Sequence, residues 1–189
     1  MELILASSSV YRRQLLERLD LRFESISPDV DETPLQGEPA AALAERLACL
    51  KARTVARQRP GTLVIGSDQV AECRGRLLGK PGSEALALAQ LQFMRGAEVS
   101  FQTAVAVARD ETVHSEVVPT RVRLRELGDR QLERYIARER PIDCAGAFKS
   151  ESGGIALLEC IRSDDPTALI GLPLIATIRL LGKFGLDLP

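Results

Sequence analysis

Leu63-Val64-Ile65-Gly66-Ser67-Asp68-Gln69-Val70 is the stretch that decides the fold. Its three leading apolar residues mark a strand buried on both faces, as at the centre of a sheet covered by helices on either side. Asp68 then falls at the strand's far end, where a charge is costly to bury without a metal or a cationic partner. Upstream, Pro39 to Arg59 reads as a long helix stopped by Pro60-Gly61, with Leu43, Leu47, Leu50 and Thr54 as its buried stripe. Earlier still, Leu3-Ile4-Leu5-Ala6 is a short strand-like run ending in Ser7-Ser8-Ser9. The helix that follows places Leu15, Leu16 and Leu19 on one face. Between these, Pro28, Asp29, Asp31, Glu32, Thr33 and Pro34 form an acidic loop.

Downstream of the central stretch the pattern continues. A hairpin around Arg74-Gly75 leads to Gly79-Lys80-Pro81, and residues 83 to 95 form a helix ended by Gly96. Residues 98 to 108 and 113 to 125 alternate as two long strands joined near Asp110-Glu111, and residues 129 to 140 form an Arg-rich amphipathic helix. A strand from Ile155 to Ile161, the acidic loop Ser163-Asp164-Asp165-Pro166 and a closing helix from about Leu172 to Leu181 complete the chain. Strands and helices alternate with no repeat or low-complexity linker, which predicts one layered α/β domain over residues 1–189.

Composition narrows the function. The 189 residues are 45% hydrophobic and 27% charged, enough for a real core. With 25 basic and 26 acidic side chains the net charge is −1, so there is no global attraction to nucleic acid or anionic lipid, and only seven residues are aromatic. No apolar run approaches a bilayer span and the start of the chain lacks the basic region of a signal peptide, so a soluble cytoplasmic protein is expected. Cys49, Cys73, Cys144 and Cys160 show no metal-ligand spacing and read as small buried hydrophobes. A single histidine, His114, lies in a polar stretch between two strand-like segments, which argues against a His-based triad or a multi-histidine zinc site. Any chemistry falls to carboxylates, Lys and Arg.

Only Lys51, Lys80, Lys149 and Lys183 are lysines; the other 21 basic residues are arginine. A compact ammonium and a planar guanidinium fork are not interchangeable at a phosphate, which draws attention to the lysines. Lys51 emerges at the flank of its helix's buried stripe, and Lys80 is held on a short turn between Gly79 and Pro81. Ser7-Ser8-Ser9 sets hydroxyls and free helix amides at one spot, with Arg12 and Arg13 just inside. This serves either as a cradle for an anion or as a plain N-cap with two solvated arginines. Asp31, Glu32 and Asp68 are three carboxylates that would meet if their strands are neighbours, a hard oxygen set suited to Mg²⁺ or Mn²⁺. Arg13, Lys51 and Lys80 would then neutralise a triphosphate while Glu32 and Asp68 hold its metal.

Taken in order, these blocks resemble the Maf family of nucleotide pyrophosphatases essentially from end to end. The carriers are Leu3 to Ser9 with Arg12-Arg13, then Asp29-Val30-Asp31-Glu32, Lys51-Ala52, Gly66-Ser67-Asp68-Gln69-Val70, Gly79-Lys80-Pro81, Cys144-Ala145-Gly146 and Gly171-Leu172-Pro173. The resemblance implies an elongated α/β fold similar to inosine triphosphatases, a mixed sheet flanked by helices, two lobes around a cleft, and often a dimer. It also implies metal-dependent cleavage between the α and β phosphates of a nucleoside triphosphate. By the same resemblance Asp68 is the proton acceptor, Glu32 shares the metal, and Ser8, Arg13, Lys51 and Lys80 contact phosphate. Tyr11, Gln69 and Glu151 correspond to the positions that set base choice in the branch acting on 7-methyl-GTP, where the dTTP/UTP branch has Asp-Thr in place of Asp68-Gln69. A cationic methylated guanine favours stacking on a ring such as Tyr11, and its N1 and N2 donors suit a carboxylate such as Glu151. The alternatives are a dTTP/UTP or broad-range pyrophosphatase and a nucleotide-binding regulator of septum formation.

Overall fold

The central run does form a strand, and a longer one than its apolar head suggests. The structure, a computed structural model, describes residues 2–188. In it Leu63–Cys73 is one eleven-residue strand, labelled β3. The sequence places Asp68 at a strand end, whereas Asp68 and Gln69 lie in mid-strand. Leu63–Gly66 pair in parallel with β1, Leu3–Ala6, and Ala71–Cys73 pair antiparallel with β4, Arg76–Leu78, so Asp68 falls between the two pairings.

The other strands are β2 (Glu24–Ile26), β5 (Glu98–Arg109), β6 (Thr112–Leu124) and β7 (Leu158–Ser163). Their order is β2-β1-β3-β5-β6-β7, with β4 paired to β3. The helices are α1 (Val10–Glu17), α2 (Ala40–Gln58), α3 (Glu84–Met94), α4 (Asp129–Glu139) and α5 (Leu174–Gly182). The described residues fall into two compact units. One takes residues up to Gln69, Thr103–Val118 and those from Asp165 on; the other takes Val70–Gln102 and Pro119–Asp164.

In the first unit β1 lies between β2 and β3, parallel to both. The connection through α1 runs to one neighbour and that through α2 reaches the other, so β1 is a point where strand order reverses. In open α/β sheets, ligands bind beyond the carboxyl ends of strands at such a point. Beyond the end of β1 lies the serine loop, and beyond β2 the acidic loop. The core beneath is apolar: Leu3, Leu5, Leu15, Leu16, Leu63 and Ile65 pack with Leu172, Leu180 and Leu181.

Helix α2 departs from the predicted stripe. Leu43 and Leu47 are buried, but Leu50 is exposed and Thr54 only half-buried; the inward face is Ala44, Ala48, Ala52 and Ala56 beside Leu43, Leu47, Lys51 and Val55. Alanines let the helix backbone reach the sheet. A methyl group added at Gly66 would fall on the Ala48 carbonyl oxygen and 2.6 Å from the Ala52 nitrogen.

In the second unit β7 pairs antiparallel with β6, Thr120 facing Ser163 and Val122 facing Ile161. The sequence starts this strand at Ile155; instead Gly153–Leu157 is a 3₁₀ turn and the strand begins at Leu158. Strand β7 lies at one end of the strand order and β2, three residues long, at the other. Along β7 the side chains of Glu159, Cys160, Ile161 and Arg162 are exposed. The cysteines are reduced, but only Cys73 is buried, which corrects the expectation for Cys49, Cys144 and above all Cys160. His114 lies within β6 rather than between strands, its ring edge-on to Phe184.

Candidate active site

Three side chains from three segments of the first unit meet at one point. Lys51 Nζ donates to Asp68 Oδ1 at 2.5 Å and contacts Glu32 Oε1 at 2.6 Å. Lys51 is 6% exposed and Asp68 8%, whereas half of the Glu32 side chain is open to solvent. The arrangement follows from local sequence. Gly66 and the alanines of α2 bring helix and strand backbones together, and Lys51, one turn after Leu47, is carried to the strand two residues beyond the contact. Burying Asp68 is tolerable because an opposite charge is buried with it.

A second cation, Arg12, interacts electrostatically with the same pair. Burial pushes the Arg12 guanidinium down from its ordinary value, while Asp68 and Glu32 pull it back up. Arginine nevertheless stays protonated in proteins. Arg12 Nε donates to the Gly171 carbonyl at 2.9 Å. Arg13, one residue on, is directed elsewhere, pairing with Glu17 at 3.0 Å on the exposed face of α1. Ser9 is the N-cap, its hydroxyl accepting from the Arg12 amide at 3.4 Å, and Ser7 Oγ accepts from Ser9 N at 3.1 Å. Ser8 is exposed at the turn, and Tyr11 lies half-buried on the first turn of α1.

Asp31 does not join Glu32 and Asp68. Its carboxylate turns back to accept from the Thr33 amide at 2.9 Å, and hydrogen bonds from Thr33 hold it below its ordinary range. Among the described residues no three His, Cys, Asp or Glu side chains gather as a metal site. Two carboxylates do converge, their oxygens within about 5 Å of each other through the shared Lys51 nitrogen. That set fits a hard cation that takes one or two protein carboxylates and completes its shell with water and phosphate oxygens, and does not fit a closed zinc site.

The loop bearing Glu32 is pinned by Glu38, which accepts from Arg46 Nε at 2.6 Å and Nη2 at 2.8 Å and from the Leu35 amide at 3.0 Å. Arg46 also donates to the Thr33 carbonyl at 3.1 Å. These bonds, those from Arg46 first, bring the Glu38 carboxyl down to about 2. A depressed carboxyl stabilises the fold above its unfolded value and loses that contribution as pH falls. The difference in urea midpoint between the wild type and Glu38→Gln is therefore expected to be full at neutral pH, to shrink below the ordinary value of 4.5 and to vanish near pH 2. A difference that stays constant down to pH 3 would show the clamp to be absent.

Gln69, predicted to read the base, has its amide nitrogen committed elsewhere. Nε2 lies 3.0 Å from each of Thr103 Oγ1, Ala168 O and Leu169 O. Three acceptors around one atom require the nitrogen there, so the side chain has only its oxygen, an acceptor, left to offer a ligand.

Lys80, Lys149 and Glu151 belong to the second unit. Lys80 is exposed on a turn tied by Gly146 N and Gln90 Nε2, both donating to Gly79 O, and by Gly82 N donating to Ile142 O. Lys149 Nζ is 3.5 Å from an Asp143 oxygen, and its amide donates to the buried Tyr135 hydroxyl at 2.9 Å. Glu151 is open to solvent on one side, yet protein packed on the other raises its carboxyl above the ordinary value.

Sequence reading missed Asp165, read only as part of an acidic loop. It is 2% exposed and caps α5 from a distance, accepting from the Ile175 amide at 2.7 Å. Its spacing to Thr167, whose amide it accepts at 3.0 Å, is the signature of an Asx turn, the signal that marks it.

Residues 2–184 match the family model described as Maf-like protein. The chain is 58% identical, over all of its length and 98% of the relative's, to a 7-methyl-GTP pyrophosphatase of Aromatoleum aromaticum. It is 55% identical to proteins of the same name from Polaromonas sp., covering 98% of this chain and 86% of that protein, and from Bordetella pertussis, covering 98% and 94%. Among solved structures it is similar to a HAM1 protein from Coxiella burnetii at 19% identity, over 67% of this chain and 74% of that one, with a TM-score of 0.48. The chain belongs to the Maf family. No helix among the described residues is long and apolar enough to cross a membrane.

Proposed function

We propose that this chain is a nucleoside triphosphate pyrophosphatase that hydrolyses the α–β phosphoanhydride of 7-methyl-GTP to 7-methyl-GMP and pyrophosphate. The observation that carries the reading is the buried Lys51 ammonium between Asp68 and Glu32, with Arg12 in the electrostatic field of the same two carboxylates, just past the parallel pairing of β1 and β3. The names of relatives at 55–58% identity support the substrate.

In this reading Asp68 accepts a proton from the attacking water. The water oxygen bonds to the α-phosphorus, the bond from that phosphorus to the bridging oxygen breaks, and pyrophosphate carries away the electron pair. Lys51 and Arg12 offset charge on the phosphate oxygens, a role in which preorganised cations of a water-poor site are most effective. Ser8 and the N-terminal end of α1 present donors to a phosphate, and Arg13 adds positive charge on the outer face of the helix. Glu32 and Asp68 would hold a divalent cation, Mg²⁺ or Mn²⁺, which supplies Lewis-acid stabilisation of phosphoryl oxygens when bound. For Lys80 the family resemblance is the support for a further phosphate contact. For the base, Tyr11 offers a ring to the cationic purine, Gln69 an acceptor oxygen, and Glu151 a carboxylate for the guanine N1 and N2 donors. Activity in the cytoplasm and removal of modified nucleotides before polymerases use them follow from that substrate.

The test is pyrophosphate release from 7-methyl-GTP, GTP, dTTP, UTP and ITP with Mg²⁺ or Mn²⁺. Preferential cleavage of 7-methyl-GTP is expected, and Glu151→Ala is expected to narrow its margin over dTTP by roughly tenfold, the loss of one charge-assisted hydrogen-bonded contact. A dTTP or UTP preference in the wild type would keep the chemistry and overturn the substrate. Binding without turnover of any nucleotide would favour a regulatory protein.

A further inference from the structure

Resting on the reading above, we propose that Asp165 is a positioning residue for that reaction: by fixing the turn that ends in Gly171, it aims the carbonyl that holds Arg12 toward Asp68 and Glu32. Each link is a hydrogen bond within the first unit. Asp165 Oδ1 accepts from the Thr167 amide at 3.0 Å and lies 2.7 Å from the Thr167 hydroxyl, while Oδ2 accepts from Ile175 N at 2.7 Å. Thr167 Oγ1 accepts from Leu174 N at 2.8 Å and sits 2.9 Å from the Leu172 carbonyl. One buried carboxylate thus ties the start of the turn to α5, to the Ile175 amide directly and to the Leu174 amide through Thr167.

Between these anchors the turn presents its carbonyls to strands β3 and β5. Thr103 Oγ1 and Gln69 Nε2 approach Ala168 O at 2.9 and 3.0 Å, and Ser67 Oγ approaches Gly171 O at 2.9 Å. Gly171 has φ +122, a backbone that side-chain-bearing residues rarely adopt, and this turns its carbonyl back to Ser67 and Arg12 together. The Gly171 carbonyl at 2.9 Å is the contact that sets the Arg12 Nε direction. The site's second cation is therefore aimed by main chain, and the main chain is held by Asp165.

The direct readout is the Arg12 Nε–H signal in ¹⁵N-labelled protein, assigned by its loss in Arg12→Lys. Slow exchange with solvent is expected in the wild type, and acceleration on the order of tenfold or more in Asp165→Asn, which keeps the shape but not both acceptors. Should Asp165→Asn fail to fold, Ser67→Ala loosens the same Gly171 carbonyl and is expected to accelerate the signal in the same direction. Unchanged exchange in the folded variant overturns the proposal. Kinetics give the second arm: Asp165→Asn and Arg12→Ala are each expected to raise KM for 7-methyl-GTP on the order of tenfold, and the double variant no further than Arg12→Ala alone. Multiplied effects would mean that Asp165 acts only on stability and not through Arg12. Failure of the wild type to cleave any nucleotide would end the functional reading, while the exchange measurement still decides what Asp165 holds.

Discussion

Asp68→Asn is expected to lower kcat for pyrophosphate release by on the order of 10²–10⁴-fold while leaving a folded protein that still binds nucleotide. Asparagine keeps the side chain's shape and can still accept the bond from Lys51, but it cannot take a proton from water at neutral pH. Removing one partner of a buried ion pair costs about 3–5 kcal/mol when the other charge is left alone. Here Lys51 retains Glu32 at 2.6 Å, so the loss of stability falls below that range. Turnover near the wild-type rate together with normal binding would remove Asp68 from the reaction. A fall in binding that matches the fall in turnover would instead make it a ligand-holding group.

The second large effect is structural and reaches the same site. Gly66→Ala sets a methyl group against the Ala48 carbonyl oxygen and the Ala52 nitrogen, both backbone atoms that no rotamer change can move aside. The usual gain from a less flexible unfolded chain is below about 1 kcal/mol, so a net destabilisation of roughly 3 kcal/mol or more is expected in urea unfolding. Gly79→Ala is the control: its added carbon meets nothing within 4 Å, and the change is expected to stay within about 0.5 kcal/mol. If Gly66→Ala unfolds at the wild-type midpoint, the close approach of α2 and β3 is not what holds Lys51 against Asp68.

Much of this was legible in the residues. The order of strands and helices, the serine cap before α1 and the turn at Arg74-Gly75 follow from local patterns that the fold respects, and the meeting of Glu32 with Asp68 follows from β1 lying between β2 and β3. The misreadings have particular causes. Leu50 and Thr54 fit the helical spacing, while four of the inward positions of α2 are alanines, which mark neither core nor surface by composition. Asp68 looks like a strand end because a lone carboxylate stops an apolar run; its compensating charge lies 17 residues upstream, where no local pattern reveals it. Arg12 was separable from Arg13: it stands three and four residues before the buried Leu15 and Leu16, on the inward face of α1, whereas Arg13 stands four before Glu17. Asp165 shows in the sequence only through its two-residue spacing to Thr167; its bond to the Ile175 amide, ten residues on, leaves no local signal.

The two outermost strands bear on how the protein behaves at high concentration. An open sheet edge is a template on which another chain can lengthen the sheet. Strand β2 offers only Glu24–Ile26, too short a rung to seed that growth. Strand β7 is longer, but an acid and a base, Glu159 and Arg162, bracket its exposed Cys160 and Ile161, so an incoming strand would have to strip water from charges at both shoulders. The fold thus leaves its rims open without leaving them adhesive.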